Sequence, residues 1–189
     1  GLCVANNYIK FVHNDLHIQN IMGKKTNEEY LYYKIDGKMY RVPTYGYVMN
    51  IIDFGRSTFE INGMSYIGDV FNKDGDADGQ YDSEITPHPC FDLCRLSCSF
   101  IEDLDDIFWP TICDLREYDI GKLLYSWIYD DNENNLLELD LDGFELYIHI
   151  AKHCRIRTPY DSLKEECFNN YVINEIDDSN EYTDISFNV

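Results

Sequence analysis

HNDLHIQN (residues 13–20) and IIDFG (residues 51–55) are the two stretches on which the reading of this 189-residue chain turns. The first has the form H-x-D-x-x-x-x-N, and the second sets Asp53-Phe54-Gly55 at the end of an apolar run that suits a strand. Together they hold what phosphoryl transfer from a metal–nucleotide requires. Asp15 is a carboxylate able to orient and deprotonate a hydroxyl, while Asn20 offers a neutral oxygen and Asp53 an anionic one to Mg²⁺. Mg²⁺ takes hard oxygen ligands and only one or two protein carboxylates, so this sparse set fits it. Each part alone reads more blandly, His13 as a core histidine and Asp53–Gly55 as a turn. At average residue usage, however, the ordered pair arises by chance in on the order of one chain in a thousand.

The neighbouring segments fit around this pair. GLCVANNYIKFV (residues 1–12) reads as a helix tail and a short strand leading into His13, and Ile21-Met22 reads as a strand leaving Asn20. Tyr30–Ile35 and Lys38–Val42 are rich in Tyr, Ile and Val and flank Asp36-Gly37, the type I′ hairpin signal. Tyr47–Ile52 is a further strand that ends at Asp53. Residues 56–90, with their Gly and Pro, read as irregular. FDLCRLSCSFIEDL (residues 91–104) is apolar nearly all round the helical wheel, which predicts a helix in the middle of the domain. Asp92 near its start suits the helix dipole and can accept backbone N–H groups from a neighbouring loop. Further helices are predicted over Ile120–Asp130, Phe144–His153 and Ser162–Val172, with Asp130–Asn135 as a solvated loop and a frayed acidic end from Asn174.

Whole-chain properties bound the function. Hydrophobic residues make up 44% of the chain, enough for one globular domain, and no apolar run approaches the roughly 20 residues of a membrane span. The net charge of −20 is uneven: residues 1–60 carry seven Lys/Arg against six Asp/Glu, and residues 61–189 carry eight against twenty-nine. Such a field disfavours nucleic acid and anionic membranes and favours basic partners. Seven cysteines without disulfide-framework spacing suit a reducing, intracellular compartment. Cys90, Cys94 and Cys98 recur every fourth residue as a core stripe, because the outer two would stand roughly 12 Å apart along a helix and could not share one zinc ion. DGDADG (residues 74–79) imitates a calcium loop but reaches Ile85 where the bidentate Glu belongs. His13 and His17 have zinc-like i, i+4 spacing but lack the general-base Glu of zinc proteases.

These motifs resemble the C-terminal lobe of a eukaryotic-type Ser/Thr protein kinase: the catalytic loop at His13, Asp15 and Asn20, the triplet Asp53-Phe54-Gly55, the central helix at FDLCRL, and RTPYDSLKEECF (residues 157–168) for the last helices. His17 stands where the family has a Lys, and Asp15 lies 38 positions before Asp53 because of the inserted hairpin. Both features resemble the atypical haspin-like branch, and still more closely the kinase-like proteins of large DNA viruses. The fold so implied is α+β and mainly helical, a kinase-like C-lobe over residues 1–172 with a few β-hairpins, no N-lobe, and an acidic tail at 173–189. Within it lie the catalytic loop 13–20, the inserted hairpin 30–42, the triplet 53–55, the activation segment 56–90 and the central helix 91–104.

The resemblance implies ATP and Mg²⁺ as cofactors and a protein substrate, basic in character. Asp15 would be the base, His17 would contact the transferred phosphoryl, and Asn20 and Asp53 would bind Mg²⁺. Met22 would lie under the adenine, His13 would pack on Phe54 beside Gly55, and Asp92 would brace the loop. No glycine-rich phosphate loop or strand Lys precedes residue 13, so an N-lobe is expected upstream and residues 1–189 alone are expected to bind ATP weakly and transfer nothing. Two alternatives stay open: a small-molecule kinase of the choline or aminoglycoside type, and an inactive pseudokinase-like binding module. Host cytoplasm or virion is the implied location.

Overall fold

The computed structural model describes residues 1–68, 87–108, 115–141, 143–174 and 182–185. Helix α2 (Cys90–Phe108) is the element the others pack against. Its stripe Cys90, Cys94, Cys98 and Ile101 is buried, together with Phe91 and Leu93. Helix α3 (Asp119–Trp127) lays Leu123 and Leu124 beside it, and helix α4 (Phe144–His153) contributes Ile150 and Ala151. Val12, Ile128, Leu136 and Cys154 close the same core. The cysteine stripe is therefore packing, as its spacing predicts, and Cys90, Cys94, Cys98 and Cys154 are all free thiols.

The strands lie in three small sheets among the described residues. Strands β1 (Ile21–Lys25) and β4 (Tyr47–Ile51) pair antiparallel with Ile21 opposite Ile51. That register sets the end of the first motif beside the start of the second: Ile52 N–H donates to the Asn20 carbonyl at 3.0 Å. Between them rises the hairpin β2 (Tyr30–Ile35) and β3 (Lys38–Pro43). Its turn residues Asp36 and Gly37 have φ of 47° and 79°, the left-handed pair a type I′ turn demands.

Several segments differ from expectation. Residues 56–90 are not wholly irregular: β5 (Phe59–Ile61) and β6 (Met64–Tyr66) form a second hairpin on Asn62-Gly63, also left-handed at both residues. The helix predicted over Ser162–Val172 starts earlier and stops sooner, as α5 (Pro159–Ser162) followed by a 3-10 stretch, Glu166–Tyr171. Thr158 and Asp161 form a reciprocal capping box with Pro159 in the first turn, which fixes the start at 159. Val172–Ile173 (β7) then pairs with β3, and Thr183–Ile185 (β8) pairs parallel with β2, so that this part of the expected frayed end joins a four-stranded sheet. With eight strands described, the fold is α+β with a larger strand share than a mainly helical unit with a few hairpins. The calcium-like loop at 74–79 lies outside the described residues, as does the activation segment from 69 to 86.

Candidate active site

Residues 11–20 run across the buried face of α2 and are anchored there at two points. Asp92, fully buried, accepts the backbone N–H of His13 at 2.8 Å and of Asn14 at 3.0 Å. One turn beyond Leu96, the Ser99 hydroxyl accepts the N–H of Ile18 at 3.0 Å and donates to the Leu96 carbonyl. Leu16, between the two anchored stretches in sequence, has no exposed surface. Burial pushes the Asp92 carboxyl up to about 7, against the pull of its two N–H donors.

His13 joins the two motifs. Its ring Nε2 lies 2.9 Å from the Ile52 carbonyl, so the proton sits on Nε2 and is donated. Burial lowers its pKa, which keeps the imidazole neutral and suits a structural part. Its ring packs on Phe54 with centroids 5.6 Å apart, and Phe11 completes the aromatic trio. Phe54 nonetheless keeps 57% of its surface exposed.

Two left-handed residues shape the site. Asn14 (φ 63°) turns the chain between His13 and Asp15, and its amide donates to the Arg56 carbonyl at 2.9 Å. Asp53 (φ 63°) leaves β4 in the same conformation, with its Oδ1 facing the Gly55 N–H at 3.4 Å. Asn and Asp are the residue types that best tolerate this region after Gly. Val12 and Thr58 bridge the flanks of this turn through paired backbone bonds of 3.0 and 2.9 Å.

Asn20 is buried, and its amide nitrogen donates to the Asp15 carbonyl at 2.9 Å and faces His17 Nε2 at 3.2 Å. The amide oxygen is thereby turned away from the loop. Asn20, just before β1, and the exposed Asp53, two residues past β4, flank these paired strand ends. Two hard oxygens, one neutral and one anionic, fit a Mg²⁺ ion that draws its remaining ligands from water and phosphate. Among the described residues there is no group of three or more His, Cys, Asp or Glu that could hold a metal by itself. Met22 stands on β1 two residues beyond Asn20, more than half exposed.

Asp15 is held by groups that its sequence neighbourhood does not reveal. Tyr147 Oη donates to Asp15 Oδ1 at 2.7 Å, and Arg56 Nη1 lies 3.5 Å from Oδ2. Tyr147 is 132 positions away and reads in sequence as one more aromatic on an amphipathic helix. Asn14 carried a usable signal, being a residue that accepts left-handed geometry between two motif positions; Ser99, Arg56 and Tyr147 carried none.

Part of the chain is similar to known proteins. The chain is 37% identical over 87 residues to the serine/threonine-protein kinase haspin of Mus musculus, a match covering 45% of this chain and 12% of that protein. It is 38% identical over 88 residues to the haspin of Bos taurus, covering 45% of this chain and 11% of that protein. Nearly half of this chain is thus similar to part of a haspin kinase. A third match, 39% identical over 54 residues, is to an uncharacterized protein of Caenorhabditis elegans, covering 29% of this chain and 18% of that protein. The chain therefore spans only 11–18% of the length of these relatives. No protein-family model matches it.

Proposed function

We propose that this chain carries the catalytic loop and metal-binding triplet of an ATP-dependent Ser/Thr protein kinase of the haspin-like branch. The observation that carries the reading is the His13 bridge: one imidazole donates to Ile52 while its backbone is held by Asp92. It ties the base-bearing loop to the strand end that bears Asp53. A decayed site has no reason to keep this bridge together with Asp15, Asn20 and Asp53.

In this reading Asp15 accepts the hydrogen bond of a substrate hydroxyl, orients it for in-line attack on the γ-phosphorus, and takes its proton. Asn20 fixes the loop through the Asp15 carbonyl while offering its oxygen to Mg²⁺, and Asp53 provides the second oxygen. Bound Mg²⁺ supplies neutralisation of phosphate charge. His17, two residues after the base and turned to Asn20 in this structure, would contact the transferred group. Met22 offers an apolar surface for the adenine, in keeping with its exposure on β1. The strongly acidic remainder of the chain favours a basic protein substrate. The free cysteines suit a reducing compartment. The kinase reading calls in addition for a nucleotide-covering lobe in the full-length protein.

The test is transfer of labelled phosphate from Mg·ATP to a basic Ser/Thr peptide by the full-length protein. Asp15→Asn and Asp53→Asn are each expected to lower turnover at least about a hundred-fold, the scale of losing a catalytic base or metal ligand. Equal activity in either variant refutes its assigned role. Transfer to choline or an aminoglycoside, with none to the peptide, would favour the small-molecule reading instead.

A further inference from the structure

The first turn of α4 reaches across the fold to the carboxylate of Asp15. Phe144 and Tyr147, three residues apart, share one face of that turn. Arg56 lies over the Phe144 ring at 5.3 Å and approaches Asp15 Oδ2, while the Tyr147 hydroxyl donates to Oδ1. The two oxygens are not held alike. The phenol bond of 2.7 Å is short, whereas the guanidinium at 3.5 Å is well beyond the roughly 2.8 Å of a tight charge-assisted contact. Oδ1 is thus committed to the protein, and Oδ2 is the oxygen left to meet an incoming hydroxyl.

The phenol is itself fixed. Its ring is wedged between Phe91 and Phe144, with centroids 5.7 and 5.5 Å away, and the Arg95 guanidinium lies over it at 5.2 Å. Arg95 Nε and Nη1 are buried without a hydrogen-bond partner, and the guanidinium rests against the ring face. Burial raises the Tyr147 pKa, so the hydroxyl keeps its proton and can only serve Asp15 as a donor.

We infer that Tyr147 is a positioning residue for Asp15: through Oδ1 it fixes the plane of the carboxylate so that Oδ2 faces the acceptor hydroxyl. The inference rests on the kinase reading. A carboxylate free to rotate about its Cβ–Cγ bond would present either oxygen, and misplacement of a reacting group by a fraction of an ångström is costly to rate. With its hydroxyl spent on Asp15 Oδ1, the phenol acts through the base, so its loss is expected to lower turnover and not binding.

The experiment compares Tyr147→Phe with wild type in the full-length protein, measuring peptide phosphorylation with kcat expressed per Mg·ADP-binding site. Tyr147→Phe keeps the ring on its three neighbours and removes only the donor. We expect kcat per site to fall about ten-fold, the scale of one charge-assisted hydrogen bond, with both KM values within about two-fold of wild type. Leu146→Ala, on the same helix and packed on the core, serves as the structural control: it lowers Tm and leaves kcat per site unchanged. If kcat per site is unchanged in Tyr147→Phe while Asp15→Asn is inactive, the inference falls and the kinase reading stands. A raised KM for the peptide with kcat preserved also overturns it, since Tyr147 would then be a substrate contact. An Asp15→Asn variant as active as wild type, or a wild type without transfer, removes the kinase reading and the inference with it.

Discussion

Replacing Asp92 by Asn separates the two tasks of the buried carboxylate, accepting hydrogen bonds and carrying charge. The carboxyl accepts from the His13 N–H at 2.8 Å and the Asn14 N–H at 3.0 Å. Asn keeps one acceptor oxygen and turns an NH₂ toward the other donor, which leaves one buried N–H unpaired at a cost of about 2 kcal/mol. The protonated acid escapes this penalty, because its hydroxyl oxygen still accepts. At pH 5 the folded wild type holds Asp92 neutral, so the variant is expected to be about 2 kcal/mol less stable. As pH rises the balance changes. With the folded pKa raised from 3.8 to about 7, Asp92 contributes stability that is complete below pH 3.8 and lost as pH passes through 7. Between pH 5 and pH 8 this loss amounts to about 2–3 kcal/mol in the wild type and is absent from the variant. His13, whose pKa is lowered, works in the opposite direction, losing stability as pH falls, but it is present in both proteins and cancels in the comparison. Urea unfolding at the two pH values reads the difference. The expected gap is about 2 kcal/mol at pH 5 and close to zero at pH 8. A gap that stays constant or widens with pH refutes the account of Asp92 as a buried acid that ionises against its surroundings.

Two further substitutions test other parts of the fold. Gly121 lies in α3 where an added Cβ would collide with the Leu115 carbonyl. Gly121→Ala should therefore destabilise by about 1–3 kcal/mol in urea, although helix propensity alone would have it stabilise by about 1 kcal/mol. A gain in stability overturns the close packing of α3 on residues 115–117. Asp130 is pulled up by burial, but the donors of Asn134, His149 and Asn132 outweigh that and bring it down to about 2. It thus contributes stability above pH 3.8 that is lost as pH falls through 2, and Asp130→Ala should cost about 2 kcal/mol near neutrality and flatten that acid limb. An unchanged acid limb would show that the carboxylate does not organise its loop.

What could be read from the chain beforehand divides along a physical line. Local signals were legible: the Asp36-Gly37 turn sets its hairpin, the all-round apolar run sets α2, and Phe144–His153 is helical over the residues its pattern predicts. The Asn62-Gly63 turn was equally local, yet the strands it joins are three residues each and carry little pattern of their own. Asp130 read as part of a solvated loop because its neighbours are polar, and only the fold shows its side chain buried beneath the amides of Asn132 and Asn134. The same limit hides Tyr147 and Arg56. A residue whose function is to touch another carboxylate across the domain has no spacing rule, so nothing in an isolated sequence marks it out.

The 79 positions that separate His13 from Asp92 also have a kinetic meaning. Every motif residue from His13 to Gly55 is made before the residue that anchors them, and closing so long a loop carries an entropic cost that local turns do not. The hairpins can form in microseconds on their own, whereas the His13–Asp92 bond must wait until α2 exists and docks. During synthesis, a chain that ends short of Cys90 therefore holds Asp15, Asn20 and Asp53 without the anchor that arranges them. The geometry of the candidate site is thus acquired late, in the same step that buries one carboxyl group.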